Sequence, residues 1–437
     1  MKIRIFQSDK GDCLLLSGKD GTRVLVDGGK KKSYENHVAP YLGGLKADGE
    51  GLDVVYVSHI DADHIEGVLE LMDNLVEWKV HRWQREHGND THPSPDTLEP
   101  PEVKEIWHNA FKEVPEENEK PIAEIYATWA RILADHPEEE IRREAVGRHD
   151  LALSQRQAIK LSRRIGGDQL KIPLNPPADG GIMFATDGQD SFTRGSMEFF
   201  TIGPFEDDLE KLRDKWNAWL KKNADALEKI RRKMEEDEAD LLGAAVSGVS
   251  LASSPVLSAA EELGNRGDVT PPNLASLMFL VEEDEKTVLL TGDGHCDDIL
   301  KGLKGVGKLG EDAGLHVDVL KVMHHGSEHN FTKDFAKTIT ADHYLFCGDG
   351  AHENPDVRVV EGFLESRLGE GEALSGNAQV GDPFKLWFSS SPEQAGLSPT
   401  RAEQLEAVEK VVRRYQRNHP GRIRCKFLKN SSMAFEV

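Results

Sequence analysis

The chain is poor in the residues that staple or anchor a fold from outside. It has only four cysteines in 437 residues, Cys13, Cys296, Cys347 and Cys425, and no two of them form a CxxC pair. That scatter excludes a disulfide framework and a thiolate zinc site, and leaves buried free thiols as the simpler expectation. Also missing is any apolar run near the ~20 residues that a membrane-spanning helix needs. The opening MKIRIFQSDKGD alternates like a strand and lacks the charged-then-apolar texture of an export signal. Both absences point to a cytoplasmic chain with no membrane partner. Positive charge is scarce as well: 54 Lys and Arg stand against 77 Asp and Glu, a formal charge of -23. Non-specific coating of nucleic acid is thereby excluded, because a phosphate backbone would be repelled everywhere except at a local basic patch.

What is present is organised in two halves. The length suits two to three domains at ~150 residues each, or one α/β core carrying a large insertion. In the first sixty residues MKIRIF, CLLLSG, TRVLVDGG and DVVYVSHI are short aliphatic bursts closed by Gly and Asp, the pattern of strands with tight turns. From Glu102 to about Gly166 the texture becomes charged and helix-favouring, with Ile122, Ile125, Tyr126, Trp129, Ile132 and Leu133 at helical spacing. Strands are expected again near 181–184 and 197–202, then a long helix over 207–240 and an Ala/Ser/Gly-rich mobile loop over 243–269. The second half reads as strands near 274–280, 287–290, 317–322 and 344–347, with a helix around 297–303. A final helix begins at Ser398-Pro399, a good N-cap and first-turn pair, and two strands follow it. The expected division is residues 1–100 as the first half of a core, 101–270 as a mainly helical insertion with returning core strands, and 271–437 as the second half. The fold class expected is α/β, an αββα sandwich of two half-sheets interrupted by helical material.

The chemistry is carried by short clusters at strand ends. Ser58-His59-Ile60-Asp61-Ala62-Asp63-His64 follows directly on the strand Val54 to Val57. In an extended loop His59 and Asp61 point the same way and can share one cation; Asp63 and His64, at the turn into a helix, can face a second. Helix capping would explain one of these aspartates and neither histidine. Val24 to Val26 ends in Asp27-Gly28-Gly29, where Asp27 suits the role of orienting a ligand without touching the ion. Val288 to Leu290 leads to Thr291-Gly292-Asp293-Gly294, and a carboxylate there has two oxygens to share between two ions. Last, Val319 to Val322 leads to Met323-His324-His325-Gly326-Ser327, adjacent histidines beside a glycine at a strand end.

In this order and spacing the motifs resemble the metallo-β-lactamase superfamily, and more narrowly the branch that includes the hydrolase domain of competence protein ComEC and the phosphorylcholine esterases. Gly11-Asp12-Cys13, Asn273 to Ser276 and His352 add to the resemblance, which covers residues 1 to about 85 and 195 to 360. It implies two divalent ions, with His59 and Asp61 on one, Asp63, His64 and His325 mainly on the other, and Asp293 between them. Asp63 counts both as ligand and as catalytic residue, and His324 or His352 as the group that donates a proton to the leaving oxygen or holds a phosphate oxygen. Most members have a histidine where Asp61 stands and another before the strand leading to the bridging aspartate, where Asn273 to Leu280 contains none. Exchanging nitrogen for oxygen hardens the site, so manganese stands beside zinc as the expected metal. Three carboxylates against two divalent ions leave roughly one positive charge, which favours a phosphorylated substrate. The resemblance therefore implies a phosphodiesterase acting on nucleic acid or a nucleotide. Its rivals are a small-molecule ester or lactone hydrolase and a non-catalytic scaffold whose helical insertion docks a protein partner.

Overall fold

Two mixed sheets carry the structure, a computed structural model that describes residues 1–109, 157, 160–162, 164–167, 169–206, 276–311 and 313–437. The first sheet is built from β1 (Lys2–Phe6), β2 (Leu14–Ser17), β3 (Arg23–Val26), β4 (Leu52–Val57), β5 (Val103–His108) and the C-terminal β14 (Ser432–Glu436), in the order β14-β1-β2-β3-β4-β5. The second holds β6 (Phe192–Arg194), β7 (Met197–Gly203), β8 (Met278–Glu283), β9 (Lys286–Leu290), β10 (Leu315–Lys321), β11 (Ile339–Phe346), β12 (Phe384–Phe388) and β13 (Ile423–Phe427), in reverse numerical order. β3, β4 and β5 run parallel, as do β9 to β13, and the remaining pairs are antiparallel.

The period-two alternation of these strands sorts their side chains into three cores. Val24, Val54, Tyr56 and Trp107 of the first sheet meet Phe199, Phe279, Val288, Val319 and Leu345 of the second, so the two sheets pack face to face. Their alternate neighbours Leu25, Val55, Val57 and Ile106 face outward to α2 (Ala39–Ala47), which follows the short α1 (Lys31–Ser33), and to α3 (Ala62–Glu86). On the far side Leu289, Leu320, Tyr344 and Phe346 pack against α4 (Cys296–Gly305), α5 (Lys333–Thr338), α6 (Val357–Leu368) and α7 (Pro399–Asn418). The layers thus run helices, sheet, sheet, helices. In α3, Ile65, Val68, Leu69 and Met72 recur at helical spacing and are almost fully buried, each contributing ~1.5–3 kcal/mol by the removal of apolar surface from water.

Two expectations are corrected. The helical texture expected from Glu102 onward instead begins with strand β5, in register with β4 from Leu52↔Val103 to Val57↔His108; the alternation in VKEIWH places Ile106 and Trp107 on opposite faces, and that outweighs its charge. Residues 181–184 form no strand, because the side-chain amide of Asn109 takes both backbone hydrogen bonds of Met183 in place of a neighbouring chain. By compactness the chain divides into one unit of Met1–Ala110, Gln157–Glu206 and Pro272–Val437 and another of Phe111–Arg156 with Asp207–Pro271. The second unit lies outside the described residues, and with it most of the expected insertion, the helix expected over 207–240 and the loop over 243–269. Among the described residues no helix is long and apolar enough to cross a membrane. Cys13, Cys296 and Cys347 are buried free thiols, and Cys425 is half-buried.

Candidate metal centre

Parallel strands put their carboxyl ends on one edge, and loops leaving those ends converge. Here β3 ends at Asp27, β4 at Ser58-His59, β9 at the turn to Asp293, and β10 at the turn to His324-His325. These loops bring four imidazoles onto one carboxylate oxygen. Asp293 Oδ2 lies 3.5 Å from His59 Nε2, 3.4 Å from His64 Nε2, 3.7 Å from His324 Nε2 and 3.4 Å from His325 Nε2. His325 Nε2 is also 3.4 Å from Asp63 Oδ2, and His59 Nε2 is 3.7 Å from Asp61 Oδ2. An ion with ~2.0–2.1 Å bonds in tetrahedral array sets its donor atoms ~3.3–3.4 Å apart. The spacings therefore leave room for cations between the donors.

Backbone strain makes the double histidine work. Consecutive residues of a strand point to opposite faces, but His324, His325 and Gly326 all hold left-handed φ values of 42°, 57° and 87°. Each non-glycine residue there costs ~1–2 kcal/mol, a penalty that persists only where the surroundings fix it. The result turns both rings toward Asp293. Asp27, at φ 56°, is bent in the same way at the end of β3.

Each ring nitrogen that faces away from the centre has a defined partner. His64 Nδ1 donates to Asp27 Oδ2 at 2.9 Å, and Asp27 also accepts from Ser58 N and Ser58 Oγ, each at 2.7 Å. Because the Ser58 hydroxyl donates to Asp27, its lone pairs accept from His59 Nδ1 at 3.1 Å. His325 Nδ1 donates to the carbonyl of Cys347 at 2.7 Å, a group that can only accept. His324 Nδ1 donates to Asn330 Oδ1 at 2.6 Å; the amide of Asn330 is oriented by donating its own hydrogens to the carbonyls of Asp293 and Gly294. All four neutral rings therefore carry their hydrogen on Nδ1 and present Nε2 lone pairs to the centre. Three of those atoms, on His59, His64 and His325, are buried with no hydrogen-bond partner. Lone pairs and a carboxylate forced together out of water are mutually repulsive, and a cation is the species that relieves this.

The titration behaviour says the same from the other side. Burial would lift the carboxyls of Asp63 and Asp293, yet the neighbouring histidines hold both well below the usual carboxylate range. Burial would lower His64 and His325, but Asp293 with Asp27 and Asp12 outweighs it, raising His64 well above its ordinary value and His325 to about 10. Without an ion, protons occupy the nitrogens that a cation would take. His324, half-buried, is instead shifted down, chiefly by burial.

Several placements refine the reading from sequence. Asp61 is the N-cap residue of α3, but its side chain makes no capping hydrogen bond, so capping does not account for it. The nearest approaches of the four imidazoles to Asp293 are all to Oδ2, while Oδ1 stands 3.7 Å from Lys321 Nζ. His352 is exposed on the short turn Ala351–Glu353 and is not among the buried residues gathered around Asp293. Asn273, singled out before β8, lies outside the described residues, whereas Ser276 Oγ accepts from Asp293 N at 3.2 Å.

From the sequence Asp12 enters only through the resemblance, in Gly11-Asp12-Cys13, and Lys321, Ser58 and Asn330 have no role; all four are buried. Asp12, His64, Asp293 and His325 lie close enough together to hold an ion. Asp12 nonetheless faces the wrong nitrogens for a direct ligand: Oδ1 is 3.1 Å from His325 Nδ1 and Oδ2 3.8 Å from His64 Nδ1. It stands behind the rings. The signal that could have found it is Gly11, where a Cβ would lie 1.7 Å from the Asp63 carbonyl oxygen, so that only glycine lets this loop close onto the start of α3.

No family model matches this chain, and no curated protein matches it. The functional reading therefore rests on the residues themselves.

Proposed function

We propose that this protein is a dinuclear metal-dependent hydrolase of the metallo-β-lactamase type, a phosphodiesterase acting on nucleic acid or a nucleotide. The observation that carries the reading is the set of four imidazole Nε2 atoms, each fixed by a partner on Nδ1, aimed at a single buried carboxylate oxygen. The layering of helices, sheet, sheet and helices, with the centre at the strand ends, supports the family assignment.

His59 with Asp61 would hold one ion, and Asp63, His64 and His325 mainly the other, with Asp293 shared between them. Two divalent ions held there would supply an ionised water as nucleophile and Lewis-acid stabilisation of the phosphoryl oxygens, zinc and manganese both suiting the mixed nitrogen and oxygen donors. Asp63, half-buried, sets Oδ2 3.4 Å from His325 Nε2, so the two would face the same ion. His324 reaches the same oxygen, is half-buried and presents an Nε2 lone pair, so it would accept the proton released by the attacking water and give it to the leaving oxygen as the ester bond breaks. A cytoplasmic setting and a phosphorylated substrate belong to the same proposal, as does a protein partner for the second unit.

The test is a hydrolysis screen of the metal-loaded chain and its Asp293→Asn variant against single-stranded DNA, duplex DNA, RNA, cyclic nucleotides, a chromogenic phosphodiester, carboxylic esters and lactones. Turnover of phosphodiesters, reduced in Asp293→Asn by a factor on the order of 10³ or more, supports the proposal. Turnover confined to esters or lactones would move the assignment to that rival, and no turnover by the metal-loaded chain would favour a scaffold.

A further inference from the structure

Behind the imidazoles lies a buried charge pair that the proposed chemistry does not use directly. Lys321 ends β10, two residues before the turn that carries His324 and His325, and is 2% exposed. Its ammonium bonds Asp12 Oδ2 and the carbonyl of Gly292, the latter at 2.8 Å, and stands 3.7 Å from Asp293 Oδ1. Two of these oxygens are within hydrogen-bond distance of the ammonium, and the third, Asp293 Oδ1, is buried with no hydrogen-bond partner and meets its charge alone. Asp12 then turns its other oxygen to His325 Nδ1 at 3.1 Å.

We propose that Lys321 and Asp12 are a positioning pair for the metal ligands: the Lys321 charge beside Oδ1 holds the Asp293 carboxylate with Oδ2 toward the imidazoles, and Asp12 helps keep the hydrogen of His325 on Nδ1. The inference rests on the cluster being a metal centre. Two features set its form. The pair is internally neutral, so it leaves the charge balance of the site to Asp61, Asp63 and Asp293. It also ties the loop before β2 to the ends of β9 and β10, linking ligands that follow the two sheets. Neither side chain touches substrate or an ion.

The experiment compares Lys321→Met, Asp12→Asn and the double variant with the unaltered full chain, each stripped with chelator and reloaded. Manganese affinity and stoichiometry are measured by calorimetry, ligand geometry by the electronic spectrum of the cobalt-loaded protein, and folding by circular dichroism. Each single change leaves a charge buried without its partner and destabilises the fold. The double variant, which removes both charges at similar volume, folds. The account expects it to bind ions 10- to 100-fold more weakly, as loss of groups that orient ligands does, with an altered cobalt spectrum. Unchanged affinity and spectrum in a folded double variant would overturn the positioning role and leave the metal centre standing. An unaltered chain that binds no ion would overturn the metal reading itself, and the inference with it.

Discussion

Asp27 reaches no Nε2 atom, yet it decides which nitrogen of His64 points inward, because its carboxylate accepts from His64 Nδ1 and is held in place by Ser58. Asp27→Asn keeps the size but removes the charge that fixes the ring. Metal affinity should fall 10- to 100-fold, read by calorimetric titration, while a variant binding as tightly as the parent would show that His64 is oriented by something else. The same titration, repeated in buffers of different ionisation heat, should report proton release at pH 7, since His64 and His325 carry protons in the ion-free chain. The sign for stability follows. His325 titrates at about 10 in the folded ion-free protein, against ~6.5 unfolded, so its stabilising charge is complete below ~6.5 and is lost as pH rises through about 10. At this scale the sequence was legible where residue types are rare: histidines and aspartates crowded at the end of β4 have few uses. Asp12 was marked only as part of Gly11-Asp12-Cys13 and Lys321 not at all, because one aspartate in a turn and one lysine at a strand end do not show their pairing until the fold brings them together.

Among elements, the contact between the β3 end and α3 governs where His64 sits. Gly28 N donates to the His64 carbonyl at 2.8 Å and Gly67 N to the Gly29 carbonyl at 3.0 Å, backbone on backbone. A Cβ on Gly67 would stand 2.0 Å from the Gly28 carbonyl oxygen, an overlap that no rotamer change relieves because both atoms belong to main chain. Gly67→Ala should cost ~1–3 kcal/mol, measured by urea unfolding, and should weaken ion binding by displacing the first turn of α3. Full stability with full affinity would mean that the helix can shift without moving the ligand. Most core elements could be read from the period of their apolar residues, including β4, β9, α4 and α7. β5 could not, because Lys104 and Glu105 carry charge into an otherwise apolar strand, and Glu105 is buried only by virtue of its bonds to Arg194 and Trp107. α6 and β12 went unread in a stretch whose motifs carry no chemistry.

At the scale of the molecule, the centre joins what the two sheets contribute separately. His59 and His64 follow a strand of the first sheet; Asp293, His324 and His325 follow strands of the second. Ions held between them would stabilise the folded chain by mass action, ~2.7 kcal/mol when free metal is a hundredfold above its dissociation constant. The central claim is that the residues around Asp293 form a two-ion centre. Its most direct test is the metal content of the full chain, purified without chelator and measured by elemental analysis beside Asp293→Asn. The account predicts about two zinc or manganese ions per chain in the parent and a clear loss in the variant. A chain that is folded and active on phosphodiesters with no bound metal would contradict it.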